Sequence, residues 1–425
     1  MTIAIFLFSL FGFMLLGMPI AFALMLTGVA LMAHLDFFDA QLLAQNMLSG
    51  ADNYPLLAVP FFLLAGGLMN QGGISRRIVD LAVTLFGHIR GGLGYVAIGA
   101  AVILASLSGS AIADTAAVAT LLIPMMRDNG YNLDRSAGLI ASGGIIAPML
   151  PPSMSFIIFG VTTNISITKL FMAGIAPGLM MAAVLVATWV WVVRREDTPT
   201  APKQSWAVRG KALANAFWAL LLPVIIVGGL RGGVFTPTEA AVVAAVYAFV
   251  VSCFVYRSLS FADLPAIFIS AARTTAVVMF LVAAALVTSY MITLADLPGM
   301  LIEVLEPLLD NPKWLMAAIM VALTLVGTAM DLTPTILILG PVLVPLITRA
   351  GIDPVYFGVM FVMVGAVGLL TPPVGTVLNV VCGVARVSME GIIKGVWPYV
   401  ITYTLLLGVF VAFPELITVP ARWLH

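Results

Sequence analysis

Between Ser136 and Thr168 the chain runs 33 residues without a charge, and in the middle of that run stands Pro151-Pro152. A second uncharged run, Thr274–Ala295, covers 22 residues. Both exceed the roughly 20 residues that carry an α-helix across a hydrocarbon core. Charged residues are 9% of the 425 positions and hydrophobic ones 62%, with a mean hydropathy of +1.14, whereas soluble domains are about 25% charged. These are the proportions of a polytopic membrane protein. Long apolar stretches, in place of ten-residue segments of alternating polarity, specify helices and exclude an outer-membrane barrel, so the expected fold is all-α with ten or eleven spans and some shorter pieces. Two adjacent prolines in such a helix remove two N–H donors and free carbonyls upstream. At membrane depth, freed backbone groups persist only where protein, ions or water partner them.

The break has a counterpart. Pro124, Gly130 and Pro151-Pro152 recur 221 positions later as Pro345, Gly351 and Pro372-Pro373, and the same offset pairs Gly144 with Gly365 and Ser155 with Thr376. Upstream, Gly109-Ser110-Ala111 matches Gly327-Thr328-Ala329 at an offset of 218, which predicts a three-residue insertion and brings Asp114 and Asp331 near one another in the alignment. Internal repeats with interrupted helices are how secondary transporters build a site near the bilayer midplane; a duplication without a shared site is the alternative. The expected organisation is a first membrane half, 1–193, with a re-entrant helical hairpin near 106–126 and a broken helix near 148–155. A polar loop, 194–211, follows, and then a second half, 212–425, with its hairpin near 327–346 and its break near 368–376. The two repeats are expected to be inverted.

Met1 to Ala33 has no basic segment ahead of an apolar stretch too long for a signal-peptide core, and reads as a retained membrane helix broken near Gly17-Met18-Pro19. Arg194–Lys211 carries five Lys/Arg against two acids, and with Arg76-Arg77 is placed in the cytoplasm by the positive-inside rule. Glu303, Glu306 and Asp310, before Lys313, suit an outer loop. Thr198-Pro199-Thr200-Ala201-Pro202 is the one linker, and no stretch is polar enough to be a ligand-capturing domain. Cys253 and Cys382 stand apart in apolar surroundings, and His34, His88 and His425 are scattered, so no zinc, haem or disulfide framework is legible. Gly92-Leu93-Gly94-Tyr95-Val96-Ala97 has dinucleotide-fingerprint spacing but no preceding strand, and neither a P-loop nor HExxH occurs. The expectation is a transporter, not an enzyme, with no organic cofactor and no nucleic-acid partner. Its energy then comes from an ion gradient, at about 2.3 kcal/mol per elementary charge per 100 mV.

Asp114 follows 23 uncharged residues and precedes 12; Asp331 has 17 on either side. A carboxylate at bilayer depth costs about 2.5–3.5 kcal/mol on insertion scales, so it faces a cavity, a cation or a donor. Each either lines a polar pathway or accepts backbone N–H groups and staples a turn. Ser106-Leu107-Ser108-Gly109-Ser110-Ala111-Ile112-Ala113-Asp114 is small and hydroxyl-rich, the composition of a hairpin tip, and Gly327-Thr328-Ala329-Met330-Asp331-Leu332-Thr333-Pro334-Thr335 repeats it. Carbonyls freed at the breaks find partners in Na⁺ beside the hydroxyls of Ser153, Ser155, Thr371 and Thr376, or in water or a neighbouring helix. Phe235-Thr236-Pro237-Thr238-Glu239-Ala240 reads as a capping box, and Arg231 and Arg273 as snorkelling anchors.

At these residues the chain resembles the large membrane subunit, of the DctM/SiaM type, of the tripartite ATP-independent periplasmic (TRAP) transporters. The likeness runs through nearly the whole chain and is densest in Ala105–Asp114, Ala137–Gly160, Phe235–Ala241, Thr328–Thr335, Ala350–Gly358 and Thr371–Gly383. It implies an elevator-type carrier of the bacterial inner membrane, with Na⁺ sites between each hairpin and its partner break. The Na⁺ positions it implies are Ser108, Gly109, Ser110, Pro151 and Ser155, then Gly327, Thr328, Gly365, Thr371, Pro372 and Thr376. The substrate positions are Ser108, Ser110, Asp114, Ser153, Ser155, Asp331, Thr335 and Thr376. Where the family pattern carries an asparagine before the second break, this chain has Val362–Gly368, which leaves the backbone carbonyls of Gly365 and Thr371 to serve. The resemblance also implies two separate partners: a small four-helix membrane subunit, and a periplasmic substrate-binding protein that delivers a carboxylate such as sialic acid, another sugar acid or a C4-dicarboxylate. Two or more Na⁺ would be the coupling ions. A channel and a non-transporting scaffold are the competing readings.

Overall fold

The structure, a computed structural model, describes residues 2–194, 202–372 and 374–424. The linker residues Thr198–Ala201 and the second proline of the second break, Pro373, lie outside them. Among the described residues every element is helical.

The chain opens with α1 (Thr2–Leu15) and α2 (Ile20–His34). They are not one helix broken at Gly17-Met18-Pro19 as expected. Gly17 takes φ +80°, the chain reverses, and α1 packs along α2 with Thr2 Oγ1 3.5 Å from His34 Nε2. Hydropathy sees an unbroken apolar run there and cannot register the reversal. Next come α3 (Ala40–Ala51), α4 (Ala58–Gln71) and the amphipathic α5 (Ile74–Phe86). A helical hairpin follows, α6 (Gly92–Ser108) and α7 (Ala111–Asp128), then the interrupted pair α8 (Leu133–Gly144) and α9 (Met154–Thr163), and the long α10 (Ile167–Val193).

Beyond the polar loop, α11 (Trp206–Arg231) leads to α12 (Pro237–Val250), which starts in the expected capping box between Thr236 and Glu239 and runs into a π-turn at Val251–Val255. The 31-residue α13 (Leu264–Leu294) and the short α14 (Leu297–Val304) and α15 (Glu306–Leu309) precede a second hairpin, α16 (Pro312–Gly327) and α17 (Leu332–Arg349). A second interrupted pair, α18 (Pro354–Gly368) and α19 (Thr376–Ala385), then α20 (Met389–Ala412) and the amphipathic α21 (Glu415–Leu424), complete the chain.

Seven helices among the described residues are long and apolar enough to cross a membrane, and seven further apolar helices have only 10–17 residues. Hairpin tips and breaks divide several of the apolar runs that composition alone leaves continuous. A chain with these helices is a multi-pass membrane protein.

Two packing groups stand out. In one, α13 is the axis: α2, α3 and α4 pack on it, and α4 also lies along α12. Small residues permit the approach, Gly28 against Val287 and Thr288 and Gly50 against Ala283, and Thr288 Oγ1 donates to the Leu24 carbonyl at 2.7 Å. In the other, α8 packs against α20, α16 against α18, and the hairpin arms cross: α7 lies along α19 and α17 along α9.

Candidate functional site

The first hairpin turns in two residues. Gly109 ends α6 at φ +63°, a left-handed C-cap that glycine adopts at no steric cost, and Ser110 caps α7 by accepting the Ala113 N–H at 3.4 Å. There is no room for a side chain at Gly109: a Cβ would overlap the Pro152 carbonyl oxygen and lie 2.9 Å from Ser153 Cα. The tip thus rests on the first break. Behind it, Asp114 is 2% exposed. Its Oδ1 accepts the Ser108 hydroxyl, which in turn accepts the Ser110 N–H at 3.2 Å, whereas Oδ2 has no protein partner. Beside it Thr115 is fully buried with its hydroxyl unpartnered, pressed on Gly144 where a Cβ would collide with it. Sequence reasoning missed Thr115; the signal was the glycine at position 144, one of the paired landmarks.

The first break satisfies part of its own backbone. Ser153 is fully buried, caps α9 by accepting the Phe156 N–H at 3.2 Å, and donates its hydroxyl to the Pro148 carbonyl. That carbonyl is one of those the prolines free, so a hydroxyl of the chain itself takes up part of what the break exposes. Pro151 is buried in the break, and Ser155 is buried in the first turn of α9, the helix that lies along α17.

At the second hairpin the tip has four residues, 328–331, between Gly327 and Leu332. Thr328 turns its hydroxyl back to the Leu325 carbonyl at 2.8 Å, and its own carbonyl accepts the Val374 N–H at 3.2 Å, joining tip to break. Gly327 and Gly368 meet backbone to backbone: a Cβ at Gly368 would lie 2.8 Å from Gly327 Cα. Asp331 caps α17, accepting the Leu332 N–H at 2.8 Å, and its carbonyl takes the buried Thr335 hydroxyl at 2.8 Å. The Thr371 hydroxyl donates to the Val367 carbonyl at 3.0 Å, and the Gly365 carbonyl takes the Leu369 N–H at 3.2 Å. Pro372 is half-buried in this break. Thr376, in the first turn of α19, keeps a buried hydroxyl with no partner, and Asn379, unforeseen, donates from Nδ2 to the Val374 carbonyl at 2.7 Å.

The register of the two aspartates is corrected here. α7 and α17 each have 18 residues, at 111–128 and 332–349, the same displacement of 221 that relates the breaks. Asp331 therefore stands where Ser110 stands, as helix cap, and Asp114 corresponds to Thr335. The second tip is two residues longer than the first, which accounts for most of the expected three-residue insertion.

Both tips meet their breaks through the backbone, with hydroxyl and carboxylate oxygens close by, a donor set suited to hard cations. The N-termini of α7, α9, α17 and α19 all begin at these tips and breaks, and each is the positive end of a helix dipole.

Residues 7–416 match the family described as tripartite ATP-independent periplasmic transporter, DctM component. The chain belongs to this family of TRAP transporter large permeases. Over 425 residues it is 56% identical to the 2,3-diketo-L-gulonate TRAP transporter large permease protein YiaN of Escherichia coli K12, covering the whole of both chains. The sialic acid TRAP transporter large permease protein SiaM of Vibrio cholerae is 39% identical over 408 residues, 96% of each chain. Among solved structures, the Alcanivorax borkumensis YdaH transporter superposes with a TM-score of 0.63 at 15% identity, covering 88% of both chains, a likeness of fold. TRAP large permeases are transport proteins, and this chain is one of them.

Proposed function

We propose that this TRAP large permease is the sodium-coupled importer of a sugar acid related to diketogulonate, working in the bacterial inner membrane with a small membrane subunit and a periplasmic binding protein. The observation that carries the reading is the seating of each hairpin tip on its own break, Gly109 on Pro152-Ser153 and Thr328 on Val374. The two hairpin-and-break units are two inverted repeats. Together with α10 and α20 they form one moving body, the remaining helices around α13 form the fixed one, and the crossing of α7 on α19 and α17 on α9 ties the repeats together.

In this reading the substrate carboxylate lies between the tips, drawn by the four helix N-termini and held by hydroxyls including Ser110 and Ser155. One Na⁺ is held at the first tip, by Asp114 Oδ2 and the Thr115 hydroxyl with carbonyls of the tip and break. A second is held at the other tip, by the Thr376 hydroxyl with carbonyls near Thr328 and Thr371. These side-chain oxygens are buried and otherwise unpartnered. Each charge moving inward down 100 mV yields about 2.3 kcal/mol, so two Na⁺ with a monoanion drive accumulation. The diketo sugar acid is favoured over sialic acid and C4-dicarboxylates by the greater identity to YiaN than to SiaM.

Competition uptake tests the substrate. In proteoliposomes with the small subunit and binding protein, unlabelled diketogulonate should abolish Na⁺-driven uptake of labelled diketogulonate, while excess sialic acid or succinate should not. Equal inhibition by succinate would remove the sugar-acid assignment.

A further inference from the structure

Away from both tips, α10 and α20 part at one end to leave a groove of about 630 Å³ whose walls include Val184, Trp191, Lys394, Trp397 and Ile401. On its floor Thr188 Oγ1 and Thr402 Oγ1 bond to each other at 3.1 Å, so the hydroxyls there are satisfied and the remaining wall is chiefly hydrocarbon. Trp191 is 56% and Trp397 47% exposed, one indole from each helix. α10 ends at Val193 and α20 begins at Met389, so the two helices present their polar ends at the same level. Arg194, three residues past Trp191, falls on the same flank of α10, and Arg90 reaches its carbonyl at 3.4 Å.

The charge at this end favours an anion. Among the described residues at this end, Arg90, Arg194 and Lys394 stand against the acids Asp134 and Glu390. Glu390 bridges Lys394 at 2.7 Å, but both side chains are largely exposed and such a pair exchanges readily. Asp134 is turned onto the Gly391 backbone, where a Cβ would collide with it. Indoles at headgroup depth, cations at the mouth and an apolar trough running inward between two membrane helices are the elements of a lipid site on the basic side of a membrane protein. The excess of Lys/Arg in Arg194–Lys211 puts that side in the cytoplasm.

We propose that this groove holds one anionic phospholipid of the cytoplasmic leaflet, with an acyl chain along Val184, Ala187 and Ile401 and the headgroup phosphate between Lys394 and Arg194. The site needs only that the chain spans the membrane with this end inside, and is independent of how transport is coupled.

The test uses the full chain in phosphatidylcholine vesicles doped with brominated phosphatidylglycerol or, at the same mole fraction, brominated phosphatidylcholine, reading tryptophan fluorescence. Brominated phosphatidylglycerol should quench more than brominated phosphatidylcholine. That excess should vanish in Trp191→Phe/Trp397→Phe and in Lys394→Gln/Arg194→Gln, and persist in Lys394→Arg. Inorganic phosphate and dihexanoyl phosphatidylglycerol should leave it unchanged. Equal quenching by the two lipids, or an excess that survives Lys394→Gln/Arg194→Gln, overturns the proposal; displacement by inorganic phosphate overturns the lipid as occupant.

Discussion

At the scale of the residue, the two aspartates that look alike in the sequence occupy different physical situations. Asp331 is a helix cap, its carboxylate on the Leu332 N–H. Asp331→Ala should cost about 0.5–2 kcal/mol of stability, and Asp331→Asn, which keeps an acceptor oxygen, should cost far less; thermal unfolding of the purified variants reads the difference. Asp114 holds one oxygen on Ser108 and has the other buried without a partner. If that oxygen serves the proposed Na⁺, both Asp114→Asn and Asp114→Ala should lower uptake at least tenfold in protein that still assembles. Near-normal uptake by Asp114→Asn would leave it a staple only. The unpartnered hydroxyls of Thr115 and Thr376 give a complementary reading. Thr115→Val and Thr376→Val give up no protein hydrogen bond, so stability without Na⁺ should hold while the stabilisation on adding Na⁺ falls. An unchanged Na⁺ response would remove both as ligands. Proximity along the chain showed that Asp114 sits among hydroxyls, but which oxygen is taken depends on Ser108 folding back across the tip, and Thr115 is legible only once Gly144 is seen against it.

At the scale of the element, glycines decide how hairpin and break fit. Gly109→Ala places a methyl in the Pro152 carbonyl and demands φ +63° of an alanine, and Gly368→Ala drives α18 off α16 at Gly327. Both should reduce folded yield and abolish uptake. Gly383→Ala, in α19 with open space where the added Cβ would go, should be neutral or stabilising by up to about 1 kcal/mol; size-exclusion recovery and uptake of the three variants separate the cases. Proline and glycine punctuation marked where helices end, because those residues act through local backbone geometry, but the hairpin arms begin well before the expected 106 and 327, at Gly92 and Pro312. The reversal between α1 and α2 was not readable, since Gly17 and Pro19 serve a kink and a turn equally well and only packing along the pair distinguishes them. The partners of carbonyls at the breaks were also hidden: Ser153 returns to Pro148 and Asn379 to Val374, contacts made by local chain folding that spacing does not specify.

At the scale of the whole molecule, a displacement of 221 relates α7 to α17 and Pro151-Pro152 to Pro372-Pro373, the register that the sequence landmarks gave. The upstream register was displaced because the second tip is longer, and small residues around a tip align by composition as readily as by position. The proposed mechanism joins the duplicated parts into one moving body loaded by Na⁺ and a carboxylate. The direct measurement is uptake of labelled diketogulonate into proteoliposomes containing this chain and its small subunit, with and without the binding protein and an inward Na⁺ gradient. Accumulation only when both are present is the predicted result. Flux that needs neither, and does not saturate with substrate, would contradict a coupled carrier and indicate a pore.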